Sequence, residues 1–272
     1  MSYPTLRLHP RKEESVLRFH PWIFSGAIAS FSAPVEDGDL VSVVDSKGRP
    51  LGTGHFGGGS IAVRLLSFDA EEVIDRAFYK RRLEAALRLR LSCDLVRPVG
   101  SSDSPNTTYR LVHGEGDSLP GLIIDIYDRT AVVQAHSLGM HQARQTIAEV
   151  LWEVFAEAGD PVLPLEGIYY KSETTLPTRD MRELASDGFL IGHTEAAPIY
   201  ENGVRFTPDW LKGQKTGFFI DQRDNRALVA HYAKGRTVLN AFCYTGGFSI
   251  YALHAGAKRV DSLDSSAKAM YL

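Results

Sequence analysis

The sequence predicts a multi-domain chain, α+β in its first two parts and α/β in its last. Three observations carry this. Short alternating strands parted by turn formers fill residues 1–69, helix and strand patterns alternate over 70–190, and a strand–loop–helix–strand unit with paired glycines follows Thr237. At 272 residues the chain is long enough for two or three cores.

In the first part Leu6 and Leu8 alternate, Leu40–Val44 is strand-like, and Ile61, Val63 and Leu65 alternate again. Glu36-Asp37-Gly38, Ser46-Lys47-Gly48 and Gly57–Gly59 supply turns. A compact β barrel is expected. Trp22 and Phe24 are expected in its core.

A helix from about 70 to 92 comes next, with Leu83, Leu87 and Leu91 on one face. Arg76, Lys80, Arg81, Arg82, Arg88 and Arg90 cover much of the rest, and Glu71, Glu72, Asp75 and Glu84 partly neutralise them. An ion-paired solvent face and an RNA-facing one compete evenly. Leu122–Tyr127 and Thr130–Ala135 flank Asp128-Arg129 as a hairpin, and Ile147, Val150, Leu151, Val154, Phe155 and Ala158 stripe a second helix that Gly159 ends. Gly167–Lys171 reads as another strand of that sheet. The loop His113–Gly121 receives no role, and a linker from Pro177 to Asp187 is expected to close this central mixed α/β domain.

The last part, 191–272, opens on a type I′ hairpin at Asn202-Gly203. Asp221 is expected to cap a helix reaching about Ala233. Thr237–Ala241 is a strand, Gly246-Gly247 ends the loop, and Phe248, Tyr251, Ala252 and Ala255 form the apolar face of a helix that Gly256 stops. A second strand, Arg259–Leu263, ends at Asp264, where an acid is placed to accept ribose hydroxyls. Nicotinamide dinucleotides and S-adenosylmethionine both use such units. The G-x-G-x-x-G cradle for a pyrophosphate is missing, which favours S-adenosylmethionine, and an ordinary βαβ unit without ligand stays open.

Composition is that of a globular protein, 44% hydrophobic and 23% charged, with a formal net charge of −3 that does not advertise a nucleic-acid binder. Cys93 and Cys243 fit neither a metal-ligand pattern nor a disulfide framework, so no metal is expected and the setting reads as reducing and cytoplasmic. The N-terminus has no signal-peptide core, and no apolar run is long enough to span a membrane.

Three runs then carry a resemblance: Gly213-Gln-Lys-Thr-Gly-Phe-Phe-Ile-Asp-Gln-Arg-Asp-Asn-Arg226, Val238-Leu-Asn-Ala-Phe-Cys-Tyr-Thr-Gly-Gly-Phe-Ser249 and Leu263-Asp-Ser-Ser266. They resemble motifs X, I and II of the bacterial 23S ribosomal RNA large subunit methyltransferase I family. His20-Pro-Trp-Ile-Phe-Ser-Gly26 and Gly114-Glu-Gly-Asp-Ser-Leu-Pro-Gly121 extend the likeness over nearly the whole chain.

The resemblance implies an N-terminal PUA-like RNA-binding barrel, the central domain, and the start of a Rossmann-like class I methyltransferase domain. It implies S-adenosylmethionine as cofactor, held by Thr216, Gly217, Phe219, Arg223, Tyr244, Thr245, Gly246 and Asp264. It turns Arg7, Arg11, Lys12 and Arg18, otherwise a solvated surface, into candidates for RNA phosphates. The implied reaction is methylation of cytosine C5 in 23S rRNA, through a cysteine thiolate adding at C6.

The nucleophilic cysteine is expected beyond Leu272, so no catalytic residue is assigned and the chain alone is expected to be inactive. The Thr237–Ala241 edge is expected to lie unpaired, which leaves a homodimer open. A non-catalytic RNA-binding protein that uses the barrel is the alternative from another class.

Overall fold

The computed structural model describes residues 3–101, 103–177 and 186–270. The chain forms two compact units, Met1–Asp94 with Arg110–Thr194, and Leu95–Tyr109 with Glu195–Leu272. The expected boundaries at 69 and 190 therefore miss one crossing. Segment 95–109 joins the later unit because its backbone binds the hairpin there: Thr107 N donates to Tyr200 O at 2.9 Å and Gly203 N to Pro105 O at 2.8 Å. Asn106 holds the segment in shape by donating to Leu95 O at 2.6 Å.

In the first unit, strands β1 (Thr5–Leu8), β2 (Trp22–Phe24), β3 (Ile28–Phe31), β4 (Leu40–Val44), β5 (Pro50–Phe56) and β6 (Ile61–Ser67) form one sheet, ordered β2-β6-β5-β4-β1-β3. Ile23 and Ile28, from the two edge strands, share a core with Leu6, Leu8, Val41, Val43, Val63 and Leu65. A sheet whose two edges serve one core is barrel-like. Phe24 is not in that core but 52% exposed, because alternation along β2 sends Ile23 inward and Phe24 to the opposite, outward face. Trp22 is half-buried, and its indole donates to Glu115 Oε1 at 2.7 Å.

Strands β7 (Thr108–His113), β8 (Leu122–Tyr127), β9 (Thr130–Ala135), β10 (Gly167–Tyr170) and β11 (Gly188–Gly192) form a second sheet in the order β11-β10-β9-β8-β7. The β8–β9 hairpin pairs antiparallel around Asp128, whose φ is 57°, while β10 lies parallel to β9 after the helix Arg144–Ala158. Ile147, Val150, Leu151, Val154 and Phe155 are all buried. Most of the expected 177–187 linker lies outside the described residues.

The basic helix runs Arg76–Ser92, six residues shorter than expected at its start, because Asp75 caps it by accepting from Phe78 N at 2.9 Å. Asp75→Ala is expected to lower stability by about 1 kcal/mol in urea unfolding, and no change in midpoint would deny the cap its role. The basic side chains of the helix are taken up by acids. Arg76 meets Glu149 at 3.2 Å and Glu153 at 2.7 Å, Lys80 meets Glu153 and Glu157, and Arg81 meets Glu72 at 2.7 Å. Of the two accounts of this helix, the ion-paired one holds.

The loop that the sequence left without a role ties this unit together. Asp117, half-buried with its side chain 5% exposed, pairs with Arg90 through both oxygens and accepts from His113 N at 2.6 Å.

In the second unit, β12 (Ile199–Glu201) and β13 (Val204–Phe206) form the expected hairpin, with positive φ at both Asn202 and Gly203. Helix Arg223–Ala233 starts one residue past Gln222, not at Asp221. Asp221 sits in a 3-10 turn, and its carboxylate accepts from Lys215 Nζ at 3.2 Å instead of capping. Strands β14 (Thr237–Ala241) and β15 (Arg259–Leu263) pair in parallel, with helix Gly247–His254 between them and Ala267–Met270 after. Among the described residues β14 has β15 as its one strand partner, and Leu239, Phe242 and Leu263 are 70%, 92% and 64% exposed. No helix among the described residues is long and apolar enough to cross a membrane.

Candidate functional site

The site is built where β14 turns into the helix Gly247–His254. Phe242, Tyr244 and Gly246 all take left-handed φ values, 60°, 50° and 80°, so the loop doubles back tightly before the helix begins. Gly246 N donates to Cys243 O at 2.8 Å, and Cys243 N to Leu263 O at 3.1 Å. Inside the unit, Asn240 Nδ2 donates to Ser249 Oγ at 2.8 Å, and that hydroxyl lies 2.7 Å from Ser262 Oγ. Ser249 is buried where the sequence placed Phe248 on the apolar face.

Asp264 clasps the loop from the tip of β15. Its Oδ1 accepts from Ser266 N and its Oδ2 from Tyr244 N, both at 2.8 Å. Those amides, Ser266's first and then Tyr244's, favour the ionised carboxyl and hold its pKa below the ordinary carboxylate value. Each oxygen retains a lone pair for an outside donor.

The run Gly213–Arg223 closes on this loop. Tyr244 OH accepts from Gln214 N at 3.1 Å, and the rings of Phe219 and Tyr244 meet edge-on with centroids 5.2 Å apart. A cleft of about 140 Å³ results, lined by Phe218, Phe219, Gln222, Cys243, Tyr244 and Thr245 among others. A second, of about 370 Å³, includes Phe206, Asp209, Gly217, Thr245 and Ile250. Thr245 borders both.

The sequence-derived residues thus separate. Phe219, Tyr244, Thr245 and Gly217 line the clefts, Asp264 and Gly246 shape the loop behind them, and Thr216 is fully buried and lines neither. Arg223 lines neither as well, and its Nε and Nη1 are buried with no partner among the described residues. Phe219 and Tyr244 give the smaller cleft an aromatic wall.

Glu201 and Arg226, absent from the sequence reading, support the site from beneath. Arg226 Nε and Nη2 donate to the Glu201 carboxylate at 2.8 and 2.6 Å, Nη2 also donates to Phe219 O at 3.0 Å, and Tyr251 OH donates to Glu201 O at 2.9 Å. Their 25-residue separation in sequence gave no local signal.

Cys243 is buried and borders the smaller cleft, its Sγ 3.3 Å from Met270 Sδ, and Cys93 is exposed at the end of its helix. Neither stands beside an activating base. In the first unit, Arg7 donates to Ser46 O at 3.1 Å, while Arg11, Lys12 and Arg18 are exposed and make no ion pair among the described residues.

Comparison with known proteins finds two matching domain models and a set of similar sequences and structures. Residues 6–68 match the PUA-like domain model, and residues 177–271 match the S-adenosylmethionine-dependent methyltransferase model. Proteins called Ribosomal RNA large subunit methyltransferase I from Shewanella amazonensis and Shewanella denitrificans are 40% and 41% identical, over 97% of this chain. The chain spans 64% of the length of these two relatives.

A structure from Streptococcus mutans, described as a candidate SAM-dependent methyltransferase, matches with a TM-score of 0.79 over 100% of this chain and 65% of its own. Another candidate methyltransferase, complexed with SAH, matches at 0.80 with the same coverage. At 23% identity these two speak for the fold. Over the part of their length that it spans, the chain is similar to the proteins named ribosomal RNA large subunit methyltransferase I, and it matches a PUA-like domain model followed by a methyltransferase model.

Proposed function

We propose that the chain supplies the RNA-docking and cofactor-binding portion of an S-adenosylmethionine-dependent methyltransferase, cytoplasmic, that acts on cytosine C5 of 23S ribosomal RNA. The observation that carries it is the Asp264-clasped glycine loop at a cleft lined by Phe219, Tyr244 and Thr245. The names of the relatives support the substrate class. Bound there, S-adenosylmethionine supplies a methyl group on a positively charged sulfur.

The chain's own residues bind and orient. Arg223 donates to a carboxylate, Asp264 accepts from hydroxyls while keeping the Tyr244 amide in place, and Phe219 with Tyr244 shields the smaller cleft from water. Neither Cys93 nor Cys243 has the setting of a nucleophile, so no covalent step is assigned to them.

The test is calorimetry with S-adenosylhomocysteine. Arg223→Ala and Asp264→Ala are each expected to weaken binding about ten- to a hundredfold, with the fold intact by circular dichroism. Unchanged affinity in both would sink the cofactor site. The alternative, a non-catalytic RNA-binding protein, draws on the exposed Arg11, Lys12 and Arg18 beside Phe19 and Phe24, rings that are 74% and 52% exposed. It requires RNA binding together with no affinity for S-adenosylhomocysteine.

A further inference from the structure

The first unit holds a cleft of about 310 Å³ with no part in the cofactor site. His55 and Arg64 face each other across β5 and β6, so their side chains leave the same face of the sheet, and both line the cleft. Asp37 and Ser137 add a carboxylate and a hydroxyl, Phe56 and Ile61 an apolar wall, and Gly57–Gly59 an open rim.

His55 is only 6% exposed, and its Nδ1 is buried with no partner among the described residues. Its ring lies so close to Gly139 that a Cβ there would come within 2.2 Å of it. Such packing fixes the ring without satisfying it, and an orphaned polar atom in a cleft wall asks for a ligand. Burial, then the charge of Arg64, brings the imidazole pKa down to about 4, so at neutral pH it offers one donor and one acceptor.

Arg64 is half-buried, and its hydrogen bond to Ile61 O is a long one at 3.4 Å, which leaves its other donors for a guest. Asp37 spends Oδ1 on Gly58 N at 2.6 Å and keeps Oδ2. With a guanidinium and a carboxylate on the same walls, the cleft has no net preference for an anion. It suits a neutral, flat guest that carries donors and acceptors on its edge and apolar faces above and below. An unstacked nucleobase has that chemistry, and splayed-out bases are how RNA sequence is read by proteins.

We propose that this cleft receives an unpaired base of the RNA substrate, separate from the base that is methylated, with His55 and Arg64 reading its hydrogen-bonding edge. The inference rests on the RNA reading above and adds a specificity pocket to it. A basic surface holds any RNA; this cleft would choose among them.

The test uses the full chain and fluorescein-labelled single-stranded ten-nucleotide RNAs of A, of C, of U, and of alternating G and A, at one salt concentration. One of the four is expected to bind at least about tenfold more tightly than the others. His55→Phe, which keeps a ring of similar shape and removes both nitrogens, is expected to bring the four within about twofold of one another while leaving the salt dependence unchanged. In the unaltered protein, the histidine Hε1 resonance that titrates near pH 4 shifts on adding the preferred RNA, a readout that does not depend on how the variant folds. Equal affinities with an unmoved resonance overturn the pocket and leave the RNA reading standing. Failure of all four RNAs to bind at low salt overturns the RNA reading, and the pocket with it.

Discussion

Glu201→Ala lowers the stability of the Leu95–Tyr109 and Glu195–Leu272 unit by about 3–5 kcal/mol, because it strands a charge that has nowhere to go. The Arg226 and Glu201 side chains are 3% and 0% exposed. Around the guanidinium stand the rings of Phe218, Phe248 and Tyr251, 4.6 to 6.0 Å from its carbon. Without the carboxylate, the bond from Nη2 to Phe219 O remains, and the rest of the buried guanidinium loses its charged partner.

Urea unfolding followed through the buried Trp210 reads the loss, and a change below about 1 kcal/mol would contradict it. Replacing both partners by Leu and Met in one chain is expected to recover most of the stability, since an apolar pair of similar volume need not be solvated. The two outcomes together separate the penalty of a lone charge from the worth of the pair.

Gly217→Ala is the second large effect, about 2–5 kcal/mol, and it corrects an attractive reading of the sequence. Gly217 resembles a cofactor contact by its place in the motif, and it does border a cleft. Its stronger reason is steric. At φ +126° a Cβ would sit 2.5 Å from the Trp210 Cα, which is backbone and cannot turn aside. Lys215→Ala in the same run removes an exposed ion pair with Asp221 and is expected to change stability by less than about 0.5 kcal/mol. Thermal unfolding distinguishes the cases: a Gly217→Ala protein that melts like the parent yet binds S-adenosylhomocysteine poorly would return the glycine to a contact role.

The contrast shows what the sequence carries. Strand alternation at Leu6 and Leu8, the Asn202-Gly203 turn and the stripe Ile147 to Phe155 are local patterns, and each became the element they describe. The loop glycines and Asp264 were legible as a ligand-type unit for the same reason: strand, turn and helix are contiguous.

Long-range pairings were not legible. Nothing near Asp117 announces Arg90, nothing near Glu201 announces Arg226, and the His55 and Arg64 pairing depends on strand register. Asp221 failed differently, since it had the right type for a cap but lies in a 3-10 turn beside Lys215, which takes its carboxylate. Phe24 failed because alternation along its strand sends Ile23 into the core and Phe24 to the opposite, outward face.

Segment 95–109 has a consequence for the order of events on the ribosome. It emerges before the hairpin that it binds, with about ninety residues still to be made, a wait on the order of 5 to 20 s at ordinary elongation speeds. Both of its flanks belong to the other unit, which can close around it and leave it as a loop anchored at two ends. When residues 199–206 arrive, segment 95–109 is already held at its ends, and the hairpin pairs with it to begin the later unit.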